Sequence, residues 1–142
     1  AFLDMVENHK MIVENSGLLT VAALKHLNIK DKRVVSILSG GNMDVITMSS
    51  VVQQGLILRD RIFTVSVLLP DKPGELTKVA DTIAKEQGNV IKLEHNQFVS
   101  INRSAAVELR ITLECFGTEH KRQIMKALEK AQFKPKQVRT SL

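Results

Sequence analysis

At 142 residues, with 44% hydrophobic and 25% charged residues, the chain has the size and composition of one ordinary globular domain or two small ones. No apolar run approaches the ~18 residues of a membrane span, and the charged N-terminal region is unlike a signal peptide, so we expect neither. Cys115 is the only cysteine and cannot form an internal disulfide, which favours a reducing, cytoplasmic location.

Residues 1–60 predict three helices and one strand. Hydrophobic periodicity predicts helices over residues 2–13, about 18–27 and 43–59. The β-branched run 34–38 predicts a buried strand. Because one strand cannot form a sheet by itself, this segment is expected to lack its structural partners.

The predicted strand ends in a hydroxyl, two glycines and an amide: Ser39, Gly40, Gly41 and Asn42. Such a turn can deliver a polar group to the floor of a ligand site, because glycines admit close backbone approach and unusual backbone angles. A plain turn hydroxyl is the alternative interpretation of Ser39.

Residues 61–142 predict an α+β unit with the order strand-helix-strand-strand-helix-strand, which is the ferredoxin-like βαββαβ fold. Strands are expected over residues 62–69, 90–97, 107–115 and 136–140, and helices over 74–87 and from Thr118, which is expected to cap its helix. Two helices should cover one face of the sheet. The other face should carry the charged and polar row Glu108, Arg110, Thr112 and Glu114.

The net charge of +5 lies entirely in the second half, which has fourteen basic and nine acidic residues against six of each in residues 1–60. A basic helix could bind nucleic acid, and a solvated helix surface is the alternative. Because neither the helix nor the open sheet face has the aromatic residues that stack on bases, we expect no nucleic-acid partner. The four histidines lack metal-ligand spacing, and Cys115 is expected to be an inert core thiol, so no metal site is expected.

The turn from Pro70 to Leu76 could form an amino-acid cradle. Pro73 fixes the approach to the helix, Gly74 leaves backbone amides uncovered, and a helix N-terminus favours a carboxylate. Asp71, just outside the helix, could accept a hydrogen bond from an ammonium group. A capped turn with a proline ahead of a helix is the alternative.

This turn, its flanking elements and the sequence from Glu86 to Ile91 resemble an ACT domain. The resemblance implies pairing with a second copy and, in many members, binding of an amino acid between the turn and the second strand of a neighbour. It makes Asp71, Gly74 and Asn89 the effector-site candidates. Some ligand-binding members have an asparagine where this chain has Val90, so the domain could serve assembly more than sensing.

Residues 1–60 resemble the end of the catalytic domain of the threonine dehydratase family, which are fold type II pyridoxal-phosphate enzymes. The matching sequences are residues 13–17, 20–24 and 38–42. The resemblance implies that Ser39 hydrogen-bonds the pyridine nitrogen of the cofactor and that Gly40, Gly41 and Asn42 complete the cofactor-binding turn. A neutral hydroxyl makes the ring a weaker electron sink than a carboxylate would, which β-elimination tolerates. Glu14 could border this pocket, and a solvated acid in a helix break is the alternative.

The family's lysine motif and its glycine-rich phosphate loop do not occur in the sequence. The resemblance therefore implies the C-terminal part of a lyase that converts threonine (or serine) to a 2-oxo acid and ammonia. Residues 1–60 would be the remnant of the catalytic domain and residues 61–142 the ACT domain, for regulation and homo-oligomer assembly. Pyridoxal phosphate is expected in the full-length enzyme, but neither bound cofactor nor activity in this chain alone. The alternative is a free-standing amino-acid-binding regulatory protein.

Overall fold

The computed structural model describes residues 1–96 and 106–141, and the chain divides into two compact units, Ala1–Gly55 and Leu56–Leu142. The first unit consists of short helices and irregular chain, and the second contains a four-stranded antiparallel sheet. The protein is therefore α+β, as predicted.

The first unit begins with three residues of α-helix that continue as a π-helix. Its helical segments are α1 (Phe2–Asp4), the π-helix Met5–His9, the 3-10 turn Ser16–Leu18, α2 (Leu19–Ala23), the 3-10 turn Leu24–His26 and α3 (Val45–Leu58), which extends beyond the unit. The predicted helix over residues 2–13 ends early because Lys10 adopts a left-handed conformation with φ 57°. Phe2, Met5, Val13 and Leu18 form a small core.

The predicted strand over residues 34–38 is wrong. These residues have no regular structure, and Val35 is 89% exposed. Residues 1–61, all of which the structure describes, contain no strand that could supply a hydrogen-bonded neighbour. The run is held by α2 instead: the Thr20 hydroxyl donates to the Ile37 carbonyl (3.3 Å), and Ser36 Oγ donates to Thr20 Oγ1 (2.6 Å).

The second unit follows the predicted order of elements. They are β1 (Ile62–Pro70), α4 (Glu75–Lys85), β2 (Asn89–Asn96), β3 (Ala106–Glu114), α5 (Thr118–Lys130) and β4 (Lys136–Val138). The strands lie side by side in the order β2-β3-β1-β4, with antiparallel pairing throughout. Apolar side chains of β1 and β3 pack against α4 and α5 in one core, which includes Val65, Leu109, Ile83 and Ile124.

The polar row on the other face of the sheet is more buried than its sequence suggests. Thr64, Ser66, Glu108 and Thr112 are all buried, and they form hydrogen bonds with one another between β1 and β3. The Thr64 and Thr112 hydroxyls are 2.9 Å apart, and Ser66 Oγ donates to Glu108 Oε1 over 2.6 Å. The hydrogen bonds from Ser66 and then Arg110 lower the pKa of Glu108. The three hydroxyls and Glu108 Oε1 find partners within the sheet, whereas Glu108 Oε2 is buried without a hydrogen-bond partner among the described residues.

The corner that precedes β1 contains Asp60, whose backbone is left-handed with φ 55°. Its carboxylate accepts hydrogen bonds from Lys121 Nζ (2.6 Å) and from the Thr118 hydroxyl (2.8 Å). Thr118 was expected to cap α5, but Gly117 is the N-cap residue and the Thr118 hydroxyl is used by Asp60 instead. The carbonyl of Asp60 accepts from the thiol of Cys115 at 2.9 Å.

This corner predicts a pH-dependent contribution to stability. The hydrogen bond from Lys121, followed by that from Thr118, lowers the pKa of Asp60 in the folded state. Its contribution is therefore present above the unfolded pKa of about 3.9 and is lost as the pH falls through the lower folded value. We expect Asp60→Asn to reduce the free energy of unfolding at pH 7 by about 1–2 kcal/mol. Urea unfolding measured from pH 7 to pH 3 should show this difference shrinking towards acid.

Asp81→Asn is the matched control, because Asp81 is an exposed aspartate on α4 of the same unit. It should change the unfolding free energy by less than about 0.5 kcal/mol at every pH. A difference between Asp60→Asn and the parent chain that stays constant down to pH 3 would contradict the assignment to the Asp60 carboxylate.

Candidate functional site

The structure brings the predicted cofactor-binding turn into contact with residues 13–17, the segment in which Glu14 could border the pocket. The amide of Glu14 donates to the carbonyl of Gly40 over 3.2 Å, which joins residues 13–17 to the turn at residues 39–42. The Glu14 side chain is held in turn by Ser16, whose hydroxyl donates to Oε1 at 2.6 Å. Segments separated by more than twenty residues thus lie in direct contact.

Two glycines make this contact possible. A Cβ added to Gly17 would lie 1.7 Å from the carbonyl oxygen of Ser39, so no other residue fits without moving the backbone. Gly40 has φ 75°, and an added Cβ there would lie 2.4 Å from Cδ and Oε1 of Glu14. Of the two glycines that were expected to allow close approach to a ligand, Gly40 instead lies against another segment of the chain, and Gly17 was not among them.

Next to this contact is an open cleft of about 310 Å³. It is lined by Glu14, Asn15, Ser16, Asn42, Met43, Asp44 and Thr47. Of the four predicted cofactor-binding residues, Asn42 lines the cleft, whereas Ser39, Gly40 and Gly41 are exposed residues of the adjoining turn. The structure places the four predicted residues in one continuous turn beside the cleft.

Sequence reasoning missed Asp44, which precedes the first residue of α3. The amide of Thr47 donates to Asp44 Oδ1 over 2.9 Å, and hydrogen bonding from Thr47 lowers the pKa of Asp44. This is an N-cap interaction, and it fixes the start of α3 at the edge of the cleft. An aspartate just ahead of an apolar helical run was the available signal.

A cofactor ring nitrogen, as the family resemblance implies, would need a hydrogen-bond donor in this turn. Ser39 carries an exposed hydroxyl with no hydrogen bond to any residue that the structure describes, so it can donate to a ring nitrogen. A Cβ on Gly41 would meet only the carbonyl of Ile12, at 3.6 Å, which leaves space along the turn. The groups that would bind the phosphate and the aldehyde carbon are not in this sequence.

The predicted amino-acid cradle in the second unit has an uncapped helix N-terminus. Gly74 is the N-cap residue of α4 with φ 91°, and no side chain caps the helix. An added Cβ at Gly74 would have nothing within 4 Å, so the glycine is required by its conformation and the space beside it is open. Asp71, three residues earlier, is exposed. The turn therefore offers free space, a helix N-terminus and a carboxylate.

The structure does not bring Asn89 to this cradle within one chain. Asn89 follows the C-terminal end of α4, whereas Gly74 precedes its N-terminus, and a helix of 11 residues is about 16 Å long. The amide of Asn89 is also engaged, since Nδ2 donates to Glu114 Oε2 at 3.2 Å. The three predicted effector residues can share a site only if a second chain contributes Asn89.

Strand β2 forms an edge of the sheet and pairs only with β3 among the described strands. Its residues are exposed along almost its whole length, and they include the apolar side chains of Val90, Ile91 and Leu93. Natural proteins seldom leave an apolar edge strand uncovered, because it presents unpaired backbone groups to other chains. The β2 edge is thus a candidate surface for self-association.

Other chemistry finds little support in the described part of the chain. Residues 1–96 and 106–141 contain no group of three or more His, Cys, Asp or Glu placed to hold a metal ion. Cys115 is buried, and its burial raises the pKa of the thiol, which makes it a poor nucleophile, as predicted. None of the helices in these residues combines the length and the apolar character needed to cross a bilayer.

Comparison with known proteins identifies relatives that are named as threonine ammonia-lyases or threonine dehydratases. The chain is 34% identical over 131 residues to a protein of Geobacter sulfurreducens named L-threonine ammonia-lyase, covering 91% of this chain and 33% of that protein. It is 29% identical over 129 residues to the L-threonine ammonia-lyase of Thermotoga maritima, covering 90% and 32%. A biosynthetic L-threonine dehydratase of Staphylococcus aureus is 28% identical over 107 residues, covering 74% and 25%. No protein-family profile matches the chain.

Proposed function

The chain is homologous over about nine-tenths of its length to L-threonine ammonia-lyases but spans only about a third of theirs, and we propose that it is the C-terminal part of such a lyase. The full-length enzyme would use pyridoxal phosphate to convert threonine (or serine) to a 2-oxo acid and ammonia. The observation that carries this proposal is the contact between residues 13–17 and the turn at residues 39–42. Both segments resemble the threonine dehydratase family, and the structure joins them beside a polar cleft.

The turn at Ser39 would hold the ring end of the cofactor. When bound, pyridoxal phosphate supplies the electron sink for loss of the α-proton and the β-hydroxyl. The Ser39 hydroxyl would donate a neutral hydrogen bond to the pyridine nitrogen, so the ring nitrogen would not be held protonated. Gly40 and Gly41 keep the turn narrow, and Asn42 adds a polar side chain to the cleft. Because the lysine and the phosphate loop lie outside this sequence, the chain alone would be inactive.

We propose that the second unit is an ACT domain of ferredoxin-like topology. The order of its elements and the arrangement β2-β3-β1-β4 support this assignment. The exposed apolar edge of β2 supports self-association through the domain. A single buried cysteine is compatible with our placing the enzyme in the cytoplasm.

An amino-acid effector would bind between two copies of this domain. The uncapped N-terminus of α4 favours the effector's carboxylate, and the exposed Asp71 would accept from its ammonium group. Since Asn89 lies at the far end of α4, it would be supplied by the second copy. The effector site would be incomplete in a monomer, which links binding to assembly.

The activity is tested on the full-length protein. Purified enzyme with pyridoxal phosphate and threonine should release 2-oxobutanoate and ammonia, and Ser39→Ala should lower kcat by at least about tenfold. The 142-residue chain should show neither activity nor cofactor absorbance. If the full-length protein binds amino acids without forming a 2-oxo acid, the alternative of a free-standing regulatory protein is correct instead.

Self-association is tested by light scattering with a charge placed on the β2 edge. Leu93→Glu should convert the oligomer to a smaller species, because a carboxylate on an apolar edge opposes pairing. Leu68→Glu is the matched control: Leu68 is also an exposed leucine of the sheet, but it lies on the interior strand β1. If Leu68→Glu dissociates the oligomer and Leu93→Glu does not, the interface is the sheet face rather than the β2 edge.

Effector binding is tested by calorimetry with isoleucine, valine, threonine and serine. We expect Asp71→Asn to lower the affinity for the amino acid that binds by about tenfold, because one charged hydrogen bond is lost. Asp81→Asn, an exposed aspartate in the same unit, should leave the affinity unchanged. If an active enzyme releases or absorbs no heat with any of the four amino acids, the domain does not bind these effectors and its role is assembly.

A further inference from the structure

We propose that Glu14 is a positioning residue, whose side chain holds the Ser39 turn in place for the cofactor. This inference rests on the proposed function, since it concerns the same cofactor end. Three contacts carry it: the hydrogen bond from the Glu14 amide to the Gly40 carbonyl, the hydrogen bond from Ser16 to Oε1, and the position of the carboxyl group in the space where a Gly40 Cβ would lie. Glu14 contacts the turn through both its backbone and its side chain.

The Glu14 carboxylate occupies the space where a side chain at position 40 would be. A Cβ at Gly40 would lie 2.4 Å from both Cδ and Oε1, so the carboxyl group lies directly against the turn. Ser16 fixes the carboxylate in this position, because its hydroxyl donates to Oε1 over 2.6 Å. The half-buried side chain therefore prevents the turn from folding back towards residue 14.

An ordinary surface acid would have a different environment. Some exposed acids in this chain form ion pairs, such as Glu119 with Arg122. Glu14 forms no ion pair with a described residue, and its polar contact is with a neighbouring hydroxyl that also lines the cleft. Glu14 thus has no cationic partner among the described residues, accepts a hydrogen bond from Ser16 and lies against the left-handed Gly40. Such an acid has a local role in fixing the shape of the turn.

The geometry distinguishes the function of Glu14 from that of Ser39. Ser39 has the hydroxyl that would contact the cofactor ring, whereas Glu14 contacts Ser16 and the Gly40 position that follows Ser39. The hydrogen-bond acceptor at Oε1 is the property that matters, and the negative charge is secondary. Glutamine retains that acceptor and alanine does not.

The experiment measures pyridoxal-phosphate affinity of the full-length apoenzyme by the absorbance of the bound cofactor. Glu14→Ala and Ser39→Ala should each weaken binding by about tenfold, as is typical when the partner that orients a ligand-binding group is lost. The double variant should bind the cofactor as well as whichever single variant has the lower affinity, because Glu14 acts through the Ser39 turn. Glu14→Gln should remain within about threefold of the parent enzyme, because it still accepts from Ser16.

A second measurement does not depend on the cofactor. Hydrogen exchange of the apoenzyme should be faster at the amides of residues 39–41 in Glu14→Ala and unchanged in β3. Asp31→Asn is the control for removal of one acid from the first unit. Asp31 is exposed and left-handed with φ 60°, a conformation that asparagine tolerates, so cofactor affinity should not change.

The outcomes separate the two proposals. If the parent enzyme binds no pyridoxal phosphate, the proposed function fails and this inference fails with it. If the parent enzyme and Asp31→Asn bind it normally but Glu14→Ala is also unchanged, the inference alone is overturned. Fully additive effects of Glu14→Ala and Ser39→Ala would also overturn it, because independent contributions mean that Glu14 does not act through the turn.

Discussion

Replacing Gly17 by alanine in the full-length enzyme is expected to abolish detectable binding of pyridoxal phosphate at micromolar cofactor. The added Cβ would lie 1.7 Å from the carbonyl oxygen of Ser39, and it would also lie 2.9 Å from a methyl group of Val13. Because the obstructing atom belongs to the backbone, no rotamer change relieves the contact. The turn must move away from residues 13–17, and we expect a cost of about 3 kcal/mol in stability as well. Cofactor titration and thermal unfolding of the same sample measure both effects.

Gly41→Ala is the matched control, since it adds the same methyl group to the turn itself. A Cβ at Gly41 would meet only the Ile12 carbonyl at 3.6 Å, which is an ordinary van der Waals contact. It should therefore be far better tolerated than Gly17→Ala in thermal unfolding. If Gly17→Ala unfolds at the same temperature as Gly41→Ala, the close approach of Gly17 to Ser39 does not constrain the fold.

The difference between the two units shows what sequence patterns can predict. In the second unit, apolar alternation and helical periodicity gave the correct order of six elements, because each element buries its own apolar face against the others. In the first unit, the β-branched run 34–38 predicted a strand that does not form. A strand requires a hydrogen-bonded neighbour, and that requirement is not visible in the run itself.

The candidate site shows a similar limit. The residues of the Ser39 turn were identified from their types, but the obstruction between Gly17 and Ser39 depends on a contact between distant segments. The burial of Glu108 was missed because alternation predicts which face a side chain occupies, not whether that face is covered. Likewise, the resemblance implied that the second strand of a neighbour completes the site of Asp71, and the length of α4 adds the physical reason that one chain cannot join Asp71 and Asn89.

The second large effect concerns the core of the second unit. Leu109 is a fully buried residue at the centre of β3, where it pairs with Val67 on β1 and with His95 on β2. Leu109→Ala should lower the free energy of unfolding by about 3–4 kcal/mol, because it removes buried apolar atoms and leaves a cavity that a sheet cannot close. Since domains of this size are stable by only about 5–15 kcal/mol, a large share of the stability would be lost. Urea unfolding of the chain measures the change.

Leu68→Ala is the same substitution one strand away, at a residue that is 55% exposed on β1. It should cost less than about 1 kcal/mol, because little apolar surface leaves the interior. The pair separates burial from strand propensity, since both substitutions replace leucine by alanine in a paired strand of one sheet. Equal losses at the two positions would mean that the exposed face is covered in solution, and a second copy packed on that face would then replace the β2 edge as the interface.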